Sequence, residues 1–184
     1  MISYIFSIRS LVTFVFVIIV CSCQQESSTT ASSDTLKSTD LKESMARVNQ
    51  RLIGLENEKI RAYIQRYNWN MQQTGTGLYY MIYKKSTGII PGKGDIIEAR
   101  YTSKLLNGQE LYDSSVKGPL IFELGKSKTI NGLEEGIFLM RLGERAKFII
   151  PSHLAFGLLG DQEKIPQRAT LVYDVELISV KKRQ

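Results

Sequence analysis

Two long segments alternate apolar and polar residues, and this alternation constrains the fold more than any other feature of the sequence. Between residues 170 and 180, Asp174 and Glu176 separate apolar residues, and between residues 97 and 105 charged residues do the same. The residues of the apolar faces are Leu171, Tyr173, Val175 and Leu177, and Ile97, Ala99, Tyr101, Ser103 and Leu105. A two-residue period is that of a half-buried β-strand. We therefore predict a sheet with one face in the core.

Shorter segments complete this sheet. Residues 78–83, 120–124 and 145–150 are rich in β-formers, and Asn107-Gly108 favours a hairpin because both residues tolerate positive φ. Residues 133–140 are short and helix-like. The residues alone thus predict an α+β domain with an antiparallel sheet and one short helix on its apolar face. The order of the strands does not follow from them.

The composition excludes much chemistry. The 184 residues include one histidine, His153, and two cysteines, Cys21 and Cys23. A multi-histidine metal site, a disulfide within the remaining chain and a cysteine zinc cluster are therefore excluded. The net charge of +6 comes from scattered lysines and arginines, which argues against a nucleic-acid partner. We expect no metal and no cofactor.

The N-terminus has the pattern of a secretory signal. Arg9 precedes an apolar run over residues 11–20 that is short for a membrane span of about 20 residues. The run ends at Val20-Cys21-Ser22-Cys23, which resembles a bacterial lipobox and predicts a lipoprotein signal peptide over residues 1–22 with lipidation at Cys23. The alternative is an uncleaved anchor with incidental cysteines.

The segment after Cys23 is polar and rich in Ser and Thr. Residues 23–39 cannot bury a core, so we predict a flexible tether. Gln24, rather than Asp, follows the lipidation site. By resemblance to enterobacterial sorting, this favours a lipid-anchored protein of the bacterial cell envelope, at the outer membrane and facing the periplasm.

A helical segment is predicted over residues 40–73. Asp40 and Glu43 form a candidate capping box at its start. Its apolar stripe has spacings of four and three residues and consists of Leu41, Met45, Val48, Leu52 and Leu55, with Ile60, Ile64 and Tyr67 continuing at a shifted phase. Such a stripe packs either on its own domain or on a second copy, giving a homodimer through the helix at 40–67.

Seven motifs then follow one another in order. They are Arg100–Ser103, Tyr112–Ser115, Asn131–Gly136, Gly143–Ala146, Pro151–Gly157, Ile165-Pro166 and Ala169–Leu177. Over about residues 88–180 the chain resembles an FKBP-type peptidyl-prolyl cis-trans isomerase, and we assign residues 74–184 to that domain. The helix and the segment at 74–80 are similar to FKBP-type lipoproteins of Bacteroidetes, including gliding-motility-associated ones.

This resemblance implies a fold, a site and a mechanism. The fold is a five-stranded antiparallel half-barrel around the short helix. The implied site residues are Tyr101 and Asp113 as catalytic residues, and Tyr112, Leu120, Ile130, Leu133, Phe156, Ile165 and Tyr173 as the substrate-binding pocket. The Tyr101 hydroxyl would hold Asp113, whose carboxylate faces the substrate carbonyl. The backbone N–H of Ile165 would bind a substrate carbonyl.

Three pocket positions depart from the best-known members of the family. Leu133 stands where they have Trp, Phe156 where they have Tyr, and Leu120 where they have an aromatic wall. The floor is therefore smaller and a hydroxyl donor is missing, so we expect weaker macrolide binding.

The resemblance leaves three functions to compare. The first is an isomerase that helps envelope proteins fold by acting on proline-containing segments. The second is a non-catalytic chaperone or scaffold that binds such segments. The third is a structural lipoprotein of a motility or secretion machine, which would dock through the helix.

Overall fold

The computed structural model describes residues 31–126 and 129–183. Two compact units divide the chain, Met1–Asn49 and Gln50–Gln184. The predicted signal peptide, the lipidation site Cys23 and the first part of the predicted tether lie outside the described residues. No helix among the described residues is long and apolar enough to cross a membrane.

The first helix, α1, spans Ala31–Arg66 and begins nine residues before the predicted start at Asp40. The predicted tether is therefore wrong for residues 31–39, which are helical. The predicted cap at Asp40 is also wrong, because Asp40 lies inside the helix. Helix propagation is far easier than nucleation, and residues 31–39 contain neither Gly nor Pro to stop it. The helix ends at Arg66 in a Schellman motif. Asn68 takes a left-handed φ of 51°, and the N–H of Trp69 donates to the Ile64 carbonyl at 3.1 Å.

The other elements among the described residues are one antiparallel sheet, two further α-helices and a short 3-10 helix at Ser152–Leu154. The strands are β1 (Gln72–Gln73), β2 (Tyr79–Lys84), β3 (Ile96–Leu105), β4 (Glu110–Asp113), β5 (Leu120–Glu123), β6 (Arg145–Ile150) and β7 (Leu171–Lys181). The helices are α2 (Ser114–Lys117) and α3 (Asn131–Phe138). The strand predictions are confirmed to within about one residue at most ends. The predicted hairpin at Asn107-Gly108 is also confirmed, since it joins β3 to β4 with a φ of 91° at Gly108.

The strand order is β1-β2-β6-β7-β3-β4, with β5 also paired to β3. The resemblance implies five strands, whereas this sheet has seven. One addition is the two-residue β1. The other arises because β4 and β5 pair with the same edge of β3. β4 lies opposite residues 102–104 and β5 opposite residues 96–99. Helix α2 separates them and so interrupts what would be a single edge strand.

The main core lies between α3 and one face of the sheet. Leu133 and Ile137 are buried on α3, and two glycines let this helix come close to β6. A Cβ at Gly136 would lie 2.7 Å from the Phe148 ring, and one at Gly132 would lie 2.4 Å from Ile150. The spacing of four residues between the glycines places both on the helix face that meets the sheet. Side chains at these positions would push the helix away.

The opposite face of the sheet is also partly covered, which the alternation did not predict. Ile60 and Tyr63 of α1 are buried against Tyr79, Ile149 and Val172. These residues of α1 come from its C-terminal half, within the unit Gln50–Gln184. The sheet is therefore sandwiched between α3 and the end of α1.

Glu56 fixes α1 on this second face. Its carboxylate accepts hydrogen bonds from the Ser152 N–H at 2.7 Å, the Ser152 hydroxyl at 3.1 Å and the Thr170 hydroxyl at 2.6 Å. Charge-assisted hydrogen bonds of this kind are stronger than neutral ones. One carboxylate thus ties the helix to the ends of β6 and β7.

Candidate active site

A cavity of about 400 Å³ opens at the N-terminal end of α3. Its walls come from β3, β5, β7, the start of α3 and the loop after β6. The lining residues are Tyr101, Leu120, Ile121, Phe122, Thr129, Ile130, Leu133, Phe156 and Tyr173. The structure thus brings together six of the residues that the sequence assigns to the site: Tyr101, Leu120, Ile130, Leu133, Phe156 and Tyr173.

Local sequence explains how these side chains converge. The two-residue period of β3 and β7 directs Tyr101 and Tyr173 to the same face, where their ring centroids lie 5.9 Å apart. Leu133, on the first turn of α3, is 2% exposed and lines the same cavity. The result is an apolar pocket with aromatic walls and an aliphatic floor.

The two tyrosines are neutral at physiological pH. Burial raises the pKa of Tyr173 to about 12. Burial also raises the pKa of Tyr101, and the nearby negative charge of Asp113 raises it further. Both groups therefore keep their protons and remain available as hydrogen-bond donors.

Asp113 lies at the end of β4 and does not line the cavity. It caps α2, because its carboxylate accepts a hydrogen bond from the Ser115 N–H at 2.6 Å. This hydrogen bond lowers the pKa of Asp113, so the group is ionised at neutral pH. The Tyr101 hydroxyl does not donate a hydrogen bond to the Asp113 carboxylate, although both residues are described by the structure. The expected Tyr101–Asp113 hydrogen bond is therefore not formed. The capping geometry directs the carboxylate to the helix instead.

Tyr112 is also absent from the cavity lining. Its hydroxyl donates to the carboxylates of Asp161 and Glu163, the latter at 3.2 Å. The hydrogen bond to Asp161 is the main cause of a pKa of Tyr112 well above its usual range. The side chain that the sequence assigns to the pocket is therefore bound to the loop at residues 157–166.

Ile165 is buried, but its backbone N–H is not free for a substrate. It donates to the Asp161 carboxylate at 2.6 Å, so the expectation that it binds a substrate carbonyl is wrong for this structure. The same carboxylate accepts the N–H groups of Glu163 and Lys164, both at 2.9 Å. A carboxylate that accepts three backbone donors organises the loop around itself.

Four residues at or near the site were missed by sequence reasoning. Phe122 shares a face with Leu120 by the two-residue period, so the alternation could have revealed it. Asp161 follows Gly160 in a loop, which is a signal for a side chain that caps backbone N–H groups. Ile121 and Thr129 carry no comparable signal, since Ile121 is an exposed residue within β5 and Thr129 lies in the loop before α3.

The described residues contain no cluster of three or more His, Cys, Asp or Glu that could hold a metal ion. His153 lies outside the cavity and its Nε2 is 2.9 Å from the Thr76 carbonyl oxygen. The chemistry available at the site is therefore that of a shaped apolar pocket with an ionised carboxylate nearby.

An antiparallel sheet closed over one short helix, with an apolar pocket at the start of that helix, defines the FKBP class of folds. Residues 88–178 match the family model of the FKBP-type peptidyl-prolyl cis-trans isomerases. The peptidyl-prolyl cis-trans isomerase FPR2 of Saccharomyces cerevisiae is 43% identical over 90 residues, which are 48% of this chain and 67% of the yeast protein. The chain therefore belongs to the family of FKBP-type peptidyl-prolyl cis-trans isomerases.

Two further relatives extend this comparison. The mouse peptidyl-prolyl cis-trans isomerase FKBP2 is 43% identical over 93 residues, which are 50% of this chain and 66% of the mouse protein. The crystal structure of FkpA from Escherichia coli is similar with a TM-score of 0.62 and 27% identity, over 94% of this chain and 81% of that one. The chain thus spans just under two thirds of the mouse relative's length.

Proposed function

We propose that this protein accelerates the cis-trans rotation of X-Pro peptide bonds without a covalent intermediate. The observation that carries the proposal is the apolar cavity of about 400 Å³ within the residues that match the family. Amide resonance sets a barrier of roughly 18–20 kcal/mol, and uncatalysed exchange takes tens to hundreds of seconds. Rotation needs neither nucleophile nor metal.

The pocket favours the twisted amide over the planar one. A twisted amide has lost resonance, so its carbonyl oxygen carries less negative charge and is more easily accommodated away from water. Binding this form about 5.5 kcal/mol more tightly than the planar form would accelerate rotation about 10⁴-fold. Tyr101, Leu133 and Tyr173 supply the dry surface around the proline ring.

Asp113 contributes an ionised carboxylate beside this pocket. Its lowered pKa keeps it negative at neutral pH, and it is close enough to Tyr101 to raise the pKa of that hydroxyl. A negative charge beside the pocket disfavours the polarised planar amide and thus favours rotation.

The direct test is proline isomerisation in a short X-Pro peptide, with wild type beside Asp113→Ala. We expect acceleration by the wild type and a loss of at least about tenfold in the variant, in line with removal of one electrostatic group from a preorganised site. Glu110→Ala, an exposed carboxylate on the same strand, is the matched control and should retain activity. A folded wild type without any acceleration would favour the non-catalytic chaperone or scaffold instead.

The proposed setting is the bacterial cell envelope. The sequence at residues 1–23 supports a signal peptide and a lipid anchor at Cys23, and the polar residues that follow would hold the isomerase at a distance from the membrane. Gln24 supports the outer membrane, with the domain facing the periplasm and acting on envelope proteins as they fold. A mechanism without ATP suits this compartment.

Labelling with radioactive palmitate tests this setting. The wild-type chain should incorporate label and fractionate with membranes, whereas Cys23→Ala should not incorporate label. Cys21→Ala is the matched control, because the lipobox pattern assigns Cys23 and not Cys21 as the modified residue. Labelling of the Cys23→Ala variant would contradict the proposal.

A homodimer through α1 is a second proposal, and a specific observation supports it. The stripe of five apolar residues is exposed, from 38% at Leu52 to 62% at Met45. Exposed apolar residues at heptad spacing are typical of a helix that pairs with another. We expect Val48→Glu to shift the protein to monomer in sedimentation equilibrium, with Arg47→Glu as the off-stripe control. Identical masses for both variants and wild type would refute it.

A further inference from the structure

The loop at residues 157–166 is held to β4 by a set of contacts around Tyr112. The Tyr112 hydroxyl donates to the carboxylates of Asp161 and Glu163. The other oxygen of Asp161 accepts the backbone N–H groups at residues 163, 164 and 165. Asp161 therefore joins the interior of its own loop to a side chain from a different strand.

Lysine contacts reinforce this connection. The Lys164 ammonium donates to the Leu111 carbonyl at 3.3 Å and lies 5.5 Å from the centroid of the Tyr112 ring. The Lys117 ammonium lies 4.4 Å from the same centroid. Cations near an aromatic ring stabilise it electrostatically, and two of them fix the ring in place. The loop thus contacts β4 through several groups, and α2 contacts the same tyrosine ring through Lys117.

The connection adjoins the cavity. In the sheet register Tyr112 and Tyr173 both lie opposite Ser103, so Tyr112 stands in the same cross-strand row as a wall of the pocket. The loop begins directly after Phe156, another wall residue. The loop is also tightly folded, since a Cβ at Gly160 would lie 2.1 Å from the Ile165 carbonyl oxygen. A change in the loop would therefore displace the pocket wall.

We propose that Tyr112 and Asp161 form a latch that holds the loop at residues 157–166 against β4 and thereby sets the affinity of the pocket for proline-containing segments. This inference rests on the proposed function. The resemblance assigns Tyr112 to the pocket lining, whereas the latch makes it a positioning residue that acts through the loop and Phe156.

The latch predicts a specific kinetic pattern. A group that orders a pocket wall without touching the rotating amide stabilises the bound substrate and the transition state equally. Its loss raises the dissociation constant and KM and leaves the rate of rotation in the bound complex nearly unchanged. Asp113→Ala has the opposite pattern, since it acts on rotation itself.

The test compares Tyr112→Phe, Asp161→Asn and the double variant in the full chain. The ligand is the tetrapeptide Ala-Leu-Pro-Phe, whose dissociation constant and rate of bound-state exchange are both measured by NMR. Tyr83→Phe is the matched control, because its hydroxyl donates to Asp174 at 2.7 Å, away from the cavity. Hydrogen exchange of the amides at residues 163–165 reports the order of the loop.

We expect each single variant to bind roughly two- to tenfold more weakly, which is less than the full effect of losing a hydrogen bond to a charged group because the loop keeps its other contact with β4 through Lys164. The double variant should bind no more weakly than the weaker single variant, since both substitutions act on the same Tyr112–Asp161 hydrogen bond. The loop amides should exchange faster in Tyr112→Phe, and the control should match wild type. Unchanged dissociation constants, additive losses or equal effects of Tyr83→Phe would each overturn the latch.

The outcomes also separate the latch from the proposed function. If the wild type binds the peptide and accelerates its isomerisation, and the latch variants bind it with the same dissociation constant, the latch alone is refuted. Wild type that neither binds nor accelerates the peptide refutes the proposed function, and the latch falls with it.

Discussion

Single glycines set how closely α3 packs on the sheet. Gly136 faces the Phe148 ring, whereas Gly54 in α1 has open space around the position of a Cβ. The same substitution therefore has opposite effects at two helical glycines, and the sequence alone could not distinguish them, because both occur within helical segments.

We expect Gly136→Ala to lower the free energy of unfolding by about 1–3 kcal/mol, because the added methyl group meets the Phe148 ring at 2.7 Å. Gly54→Ala should raise it by about 0.5–1 kcal/mol, since alanine loses less backbone entropy in a helix. Urea denaturation of both variants checks this pair. A stable Gly136→Ala protein would mean that α3 moves without strain.

Phe156 is the pocket residue whose substitution tests the missing hydroxyl. Phe156→Tyr should bind an FK506-like macrolide roughly two- to tenfold more tightly, because the tyrosine supplies one hydrogen-bond donor to the ligand. Phe138→Tyr, on the exposed side of α3, is the control. Titration calorimetry measures both, and equal affinities for Phe156→Tyr and wild type would show that the hydroxyl does not reach the ligand.

At the scale of elements, the strands follow from the sequence and the course of α1 does not. The two-residue period gave β3 and β7 within about one residue, because a half-buried strand records its buried face directly in the sequence. The start of α1 was wrong because a polar segment without Gly or Pro carries no stop signal. Its attachment to the second face of the sheet depends on contacts between residues about a hundred positions apart.

Glu56 makes that attachment testable. Glu56→Ala leaves the Ser152 N–H and the Thr170 hydroxyl without their acceptor, so we expect a loss of about 1–3 kcal/mol in the free energy of unfolding. Glu58→Ala, an exposed carboxylate on the same helix, should change it by less than about 0.5 kcal/mol. Chemical denaturation of the two variants measures the difference, and equal stabilities would mean that Glu56 does not anchor α1.

At the scale of the whole molecule, Asp161 makes the free energy of unfolding depend on pH in the acidic range. Partial burial alone would raise its pKa, but the hydrogen bonds from Tyr112 and from three backbone N–H groups outweigh burial and lower the pKa to about 2. Because the folded-state pKa is lower than that of the unfolded chain, the stabilisation is fully present above about pH 4. It is lost as the pH falls from about 4 through 2.

The acid dependence is measured by thermal unfolding of wild type and Asp161→Asn between pH 7 and pH 2. Wild type should be the more stable protein at pH 7, and the difference should shrink as Asp161 becomes protonated below about pH 4. The amide keeps an acceptor oxygen but does not titrate, so the variant's own stability should fall less steeply. Parallel curves across this range would show that Asp161 has an ordinary pKa in the folded protein.

The sequence by itself determined the α+β class, the extent of the strands and six of the residues that line the cavity. Alternation and ordered motifs are local, and a strand carries its buried side chains in its own sequence. The sheet order, the shared edge of β3 and the approach of α3 through Gly132 and Gly136 were decided by packing between distant segments.

Tertiary structure also decided what several predicted site residues do. Tyr112 meets Asp161 across 49 residues of chain, and the N–H of Ile165 is taken by the same carboxylate. A residue's type shows what it can donate or accept, but its partner depends on which loop folds beside it. Hydrogen bonds between separate loops leave no periodic signal, and for this reason only the folded chain revealed the latch.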